Sequence, residues 1–362
     1  MRSKILAELI TPKLPVNLYN LAWQAYTKLE MDLLIKSSRE VSDLEFLLSK
    51  LPRGRRQLHT LLYNKQLGIG VLLSCYVLKS MRILSNASKE WIHSIINTMK
   101  KFSWYDLDGE TLFVLSLVIR GFHITENAAE IWNKIGEVLE QSLYDLRRSN
   151  ITLKRAKDIL FLIWSYIKSE VGSDEELMTF LRVLSDEHFM CCVEKDTETF
   201  AIYSIVLSEL VKRVECLWEK EEINGRLLID AIKERVMYIH RTLNALKYEV
   251  DKSKVFGKIH LIAKIELALH EADEVRQKLI IHSEIEKLKR KCCRIATVGF
   301  FVGSLITMLH GVFLKFIPEI LFAIIILLTI LFGLILEIAE KPVRRFISWL
   351  LSMASKMKIG GE

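Results

Sequence analysis

Apolar residues in the first 290 or so positions recur at intervals of three and four. Leu112, Leu115, Ile119 and Phe122 form one such run, and Ile159, Leu162, Ile163 and Tyr166 another. That rhythm predicts amphipathic helices; alternation, which would mark strands, is not found. Start signals fall where the rhythm begins. Ser42-Asp43-Leu44-Glu45 and Ser173-Asp174-Glu175-Glu176 have the form of capping boxes, in which a hydroxyl and a carboxylate satisfy orphan amides. Asp108, Thr125, Thr152, Asp196 and Asn224 are further N-cap candidates. Glycine and proline are scarce before residue 295. The predicted fold class is all-α.

Strongly apolar helices alternate with amphipathic ones. Gln66–Leu84 is followed by Ser88–Phe102, and the helix opening at Asp108 by one from Thr125 to about Arg148. Thr152 opens the next apolar helix and Ser173 its partner; Thr197 begins another. The apolar members start about 43 to 45 residues apart, a period that belongs to stacked helical hairpins. Over residues 60–250 the chain resembles helical-hairpin repeat proteins, either HEAT-like solenoids or the α/α toroids of the terpenoid-cyclase type. The aspartate-rich motifs of terpenoid cyclases are absent, as is the zinc-ligand pattern of lanthionine cyclases and protein prenyltransferases, so the resemblance implies architecture alone.

Residues 1–253 are expected to form this helical-repeat domain and 254–294 a long connecting helix. Along the latter, Leu261, Ile265, Ala268, Ala272, Val275 and Leu279 make a coiled-coil-like seam, expected to pack on the repeat body or, alternatively, to pair chains as a stalk.

The pattern then changes. Ile295–Phe316 and Ile320–Ala339 are nearly uninterrupted apolar segments joined by a bend containing Pro318. Each has about the 20 residues that a helix needs to cross a bilayer, which predicts a transmembrane hairpin over 295–339. Lys287, Lys289, Arg290, Lys291 and Arg294 precede it, and Lys341, Arg344 and Arg345 follow it. By the positive-inside rule these flanks orient the hairpin with both termini cytoplasmic, making a multi-pass protein of the plasma membrane. Gly299, Gly303, Thr307 and Gly311 recur every four residues and predict a close helix–helix contact, within the hairpin or between chains. Residues 340–362 form a cytoplasmic tail with Phe346, Trp349, Leu350 and Met353 on one side, the pattern of a helix lying in the headgroup region.

Net charge is +7, but much of the excess flanks the hairpin, so it is first an orientation signal and an attraction for anionic lipid. Nucleic-acid binding is not expected. The six cysteines, as two adjacent pairs and two singles, make a poor disulfide framework. Cys292 and Cys293 beside the first apolar segment are acylation candidates without further support.

Candidate chemistry is sparse. His188, Cys191 and Cys192, at i, i+3 and i+4 of one helix, are the weak candidates for a metal site, which would need a fourth ligand from elsewhere. Arg235…His240 fits the loose Arg-x4–6-His pattern of HEPN ribonucleases, as do Arg276…His282 and Arg53…His59; Val236 stands where that family usually has a polar residue. Asp106, Asp108 and Glu110 crowd a turn and are assigned to capping. His310, inside the first apolar segment, has no carboxylate partner that would make a proton path. No P-loop, GxGxxG, HExxH or GxSxG occurs. No catalytic residue, metal or cofactor is therefore assigned. The expected function is a membrane-anchored scaffold or adaptor that binds a protein partner at the inner membrane face. The alternatives are a toroid enzyme for a lipid-like or isoprenoid substrate and a defence effector that perturbs the membrane through its hairpin.

Overall fold

The computed structural model describes residues 13–51, 62–84, 89–99, 108–125, 128–147, 151–169, 173–214, 224–252 and 259–281, with Leu288, Lys291 and Gly303 besides. The described residues are helical, with no strand among them. The chain divides into two compact units, Met1–Arg276 and Gln277–Glu362. The helices are α1 (Lys13–Glu30), α2 (Arg39–Ser49), α3 (Lys65–Ser80), α4 (Lys89–Met99), α5 (Gly109–Phe122), α6 (Ala128–Arg147), α7 (Leu153–Ser169), α8 (Asp174–Leu184), α9 (Glu187–Val193), α10 (Thr197–Val214) and α11 (Asn224–Lys252). The last, α12, spans 259–281 and belongs to the first unit as far as Arg276.

Helices α3, α5, α7 and α10 are the ones that the sequence marks as apolar nearly all round, and their residues are buried accordingly. They pack in chain order, α3 on α5, α5 on α7 and α7 on α10, and α1 lies along α3. The amphipathic helices bury a single stripe. In α6 it consists of Ile131, Ile135, Val138, Leu139 and Ser142, laid against α5 and α7.

Two glycines permit the closest approaches. A Cβ at Gly70 would stand 3.0 Å from the Tyr19 amide nitrogen, so α3 meets the backbone of α1 there. A Cβ at Gly109 would stand 2.6 Å from Asp158 Cα and its carbonyl oxygen, and the Gly109 amide donates to Asp158 Oδ1 at 2.8 Å.

Ser173 and Glu176 form the expected capping box. Asp108, Thr152 and Asp196 accept from the amides of Thr111, Arg155 and Thr199 as N-caps should. The Ser42 box is corrected: α2 starts four residues earlier, capped by Ser38, whose side chain accepts from Val41, and Ser42 lies inside the helix. Thr125 stands before the start of α6 and contributes its carbonyl to Ala128.

Three helices end alike without a glycine. Asp32, Arg82 and His123 adopt φ values of 55°, 58° and 51° after α1, α3 and α5. In each case the next residue's amide (Leu33, Ile83, Ile124) reaches back to Lys28, Leu78 or Ile119, closing a Schellman turn.

On α12, Leu261, Ile265, Ala268, Ala272 and Val275 are buried within a single chain, in keeping with a helix packed on the helical body. Among the described residues no helix is long and apolar enough to cross a membrane. The segments expected to do so lie outside the described residues apart from Gly303, which is helical. Gly299, Thr307, Gly311, the flanking cations other than Lys291, and the tail 340–362 lie outside them as well.

Two substitutions separate these backbone effects. Gly109→Ala should lower unfolding free energy by about 2 kcal/mol, because the new methyl meets backbone rather than a movable side chain. Arg82→Gly should raise it by about 0.5–1 kcal/mol by relieving a left-handed, exposed residue. Urea titrations of the two variants against the parent read both signs.

Candidate functional site

Position α1 as a column and its inner face reads Tyr19, Trp23, Tyr26, Glu30, at i, i+4, i+7 and i+11. The corresponding face of α7 reads Lys157, Phe161, Trp164, Lys168, and α10 carries Glu198 and Glu209 eleven residues apart. Eleven residues are three helical turns, about 16 Å of rise. Each of these helices thus brings a polar group to both ends of an apolar middle.

The middle is aromatic. Trp23, Phe113, Phe161 and Trp164 are all fully buried. Phe113 stacks on Trp164 with centroids 4.3 Å apart, and Trp23 lies 6.2–6.4 Å from Phe113, Phe161 and Trp164. Tyr26 meets Trp23 edge-on at 5.5 Å. These are favourable ring arrangements, and the rings are in contact across the centre.

At one end lies Lys264 of α12, whose side chain is 0% exposed. Its ammonium is 2.6 Å from Glu198 Oε1 and 3.3 Å from Glu110 Oε1, and stands 4.1 Å from the Trp23 ring centroid. Lys157 donates to the other oxygen of Glu198 at 2.8 Å, and the Tyr19 hydroxyl donates to Glu110 at 2.5 Å. Two carboxylates thus face two ammoniums. Burial pushes both carboxyls up, but Lys264 and then Lys157 outweigh it and hold Glu110 and Glu198 below the usual carboxylate range. Lys157 rises despite its burial because Glu198 and Glu110 face it. Burial, then Glu110 and Glu198, push the Tyr19 phenol up, so it stays a donor. His260, beside the knot, donates its Nδ1 proton to Asn20 Oδ1 at 2.7 Å; burial and Lys264 keep its pKa low and the ring neutral. Glu110, Glu198, Lys157, Tyr19 and His260 are each held to one charge state near neutral pH, which suits charge neutralisation better than general acid–base work.

At the other end Lys168 pairs with Glu30, and with Glu209 at 3.0 Å. Lys212 pairs with Glu271 at 2.5 Å and Glu274 at 2.7 Å, both on α12. Here burial, then the neighbouring Glu271 and Glu30 charges, push Glu209 up to about 7 against the opposing pull of Lys168. His270, Glu271 and Glu274 offer three ligand atoms within 4.8 Å of one another, but the Lys212 ammonium is already bound to two of them. That arrangement is an ion pair, and no metal ligand is assigned there.

The metal candidates from the sequence do not converge. Cys192 turns inward, its thiol 3.7 Å from the Ile151 carbonyl, whereas His188 and Cys191 are exposed. Arg235 and His240 part company too: Arg235 donates to the Leu184 carbonyl at 3.0 Å, and His240 pairs with Asp273 at 2.9 Å. Asp108 caps α5 and pairs with Lys65. Glu110, assigned to the same turn from sequence, instead enters the buried knot. Lys264, Glu198, Tyr19 and Lys168 carried no motif. Their signal lay in spacing: Lys264 and Glu271 interrupt the apolar stripe of α12 on its own face, three residues from Leu261 and Ala268. Comparison of the chain with protein families, with curated proteins and with solved structures finds no match.

Lys264→Met should destabilise the protein by about 3–5 kcal/mol, because Glu110 is left buried without its nearest cation. Adding Glu110→Gln restores charge balance, since Lys157 still serves Glu198, and should recover part of the loss in urea unfolding at pH 7. A double variant no more stable than Lys264→Met would refute this pairing.

Proposed function

We propose that the protein is a membrane-anchored scaffold: a cytoplasmic body of stacked helical hairpins that binds a protein partner at the inner membrane face, tethered by a two-helix hairpin over 295–339. The observation that carries this reading is that the inward-facing charges engage one another around a filled aromatic centre. Glu110, Glu198, Lys157 and Lys264 neutralise as a set, and Trp23, Phe113, Phe161 and Trp164 occupy the space between the helices. Such groups fix helix positions. A toroid enzyme would instead present inward carboxylates or imidazoles to a substrate, so a lipid-like or isoprenoid substrate is the less favoured reading. The chain-order packing of α3, α5, α7 and α10 and the matching helix ends after α1, α3 and α5 support a stacked-hairpin body.

The tether rests on the two apolar segments, each about 20 residues long, and on the cations at both open ends. A homo-oligomer through Gly299, Gly303, Thr307 and Gly311 fits the same segments and is what the defence-effector reading would need.

Carbonate extraction of membranes tests the tether. The full chain should stay in the pellet, and a variant ending at Glu286 should be released as a folded, soluble body. Recovery of that variant in the pellet would rule this topology out. Gly303→Ile tests the effector branch: unchanged oligomeric state in detergent removes it.

A further inference from the structure

The two ionic knots differ in balance. Around Lys264 two carboxylates face two ammoniums. At the other end three carboxylates with side chains 7–15% exposed (Glu30, Glu209, Glu271) share Lys168 and Lys212, and Lys212 also serves Glu274. Four helices meet there: Glu30 with Tyr26 from α1, Lys168 from α7, Glu209 and Lys212 from α10, Glu271 and Glu274 from α12. Tyr76 of α3 faces Glu30 and Tyr26 from the remaining side. Negative charge in excess of its counter-ions is costly in a buried site, and the cheapest remedy is a bound proton.

Glu209 is the place for that proton. Among the three carboxylates it has two acidic neighbours from other helices, Glu30 and Glu271, and shares its one lysine with Glu30. Glu271 is its link to α12, the helix that leads to the apolar C-terminal segments.

We propose that this knot is a proton-controlled latch on α12. While Glu209 is protonated, Lys168 satisfies Glu30, Lys212 satisfies Glu271, and α12 is held. Once Glu209 ionises, its charge repels Glu271 across the contact and α12 opens more often. The direction of linkage follows from a pKa raised to about 7 in the closed state against an ordinary carboxylate in the open one. Closure is therefore favoured at low pH, weakens as pH rises from about 4.5 to about 7, and is steady above. The Lys264 knot has the opposite sense, holding its carboxylates ionised, and weakens only under more acid conditions.

Two imidazoles also meet carboxylates of α12: His240 of α11 pairs with Asp273 at 2.9 Å, and a ring nitrogen of His270 lies within 4.8 Å of carboxylate oxygens of Glu271 and Glu274. Burial and Lys264 hold His260 below the usual imidazole range, and Lys247 pairs with Glu266.

Hydrogen exchange of the full chain in detergent micelles, followed at the amides of 259–276 at pH 5.0 and 7.5 and corrected for intrinsic exchange, tests the latch. The opening equilibrium should rise by about tenfold or more between the two. Glu209→Gln should abolish the rise, and Glu271→Gln should shrink it. Opening that does not change with pH in the parent, or a rise that survives Glu209→Gln, overturns the proposal; loss of the rise in His240→Gln or in His270→Gln alone assigns it to that imidazole and overturns it too. If Glu209→Gln does not fold, the parent and Glu271→Gln arms still decide.

Discussion

The ammonium of Lys264 is fully buried, and the helices around it are arranged to answer that cost. An unpaired lysine out of water would shed its proton or unfold its helix. Here it lies against the face of Trp23 and between Glu198 and Glu110, with Tyr19 completing the second carboxylate. Those partners come from α1, α5 and α10, so one charge constrains four helices at once. None of them can slide by a turn without stranding a buried ion. Apolar packing alone tolerates such slips far better, because one leucine resembles the next. Whether buried ions add net stability is a separate matter; their contribution here is registry, the best-attested use of such groups.

That constraint is repeated three turns away, which explains the spacing along the central helices. The aromatic layer is one to two side chains thick, and a charged residue eleven positions from the first emerges at its far side. Lys157 and Lys168, and Glu198 and Glu209, follow this rule with opposite charges on facing helices. The ends are nonetheless unequal. Lys264 belongs to the balanced knot; seven residues on, α12 contributes Glu271 to a knot already acidic. One helix is thereby tied into a balanced knot at its start and an acid-rich one further along.

Much of the architecture was legible because helical period, caps and apolar content agree with one another. The fully apolar helices α3, α5, α7 and α10 are the buried ones, and Asp108, Thr152, Ser173 and Asp196 cap as their chemistry demands. The failures share a cause as well. Ser42 lost to Ser38 because two serines four residues apart offer the same local signal, and packing of Val41, Leu44 and Leu48 selects the start. The helix ends at Asp32, Arg82 and His123 carry no glycine, so nothing local announced them. The buried knots escaped because a lysine in a charged helix is normally solvated, and only its place on the apolar stripe distinguishes Lys264. The seam of α12 was legible as an apolar face, and its burial in a single chain fits the packed helix over the pairing stalk, a choice that periodicity alone leaves open.

This last point bears on how a membrane tether would act on such a body. A stalk that merely projected from the domain would transmit little, because a flexible or self-paired helix can move without disturbing the helices behind it. Helix α12 is instead built into them: Thr27 donates to its Ala263 carbonyl, Asn20 holds His260, and its ions reach α1, α5 and α10. Along α12 the pairs of Glu274 and Glu271 with Lys212 and of Asp273 with His240 lie nearer the C-terminal end than Lys264 does. The acid-rich knot therefore holds the later part of this helix and the balanced knot its start, so the two ends of α12 within the first unit are tied to the same helices by ions of different balance.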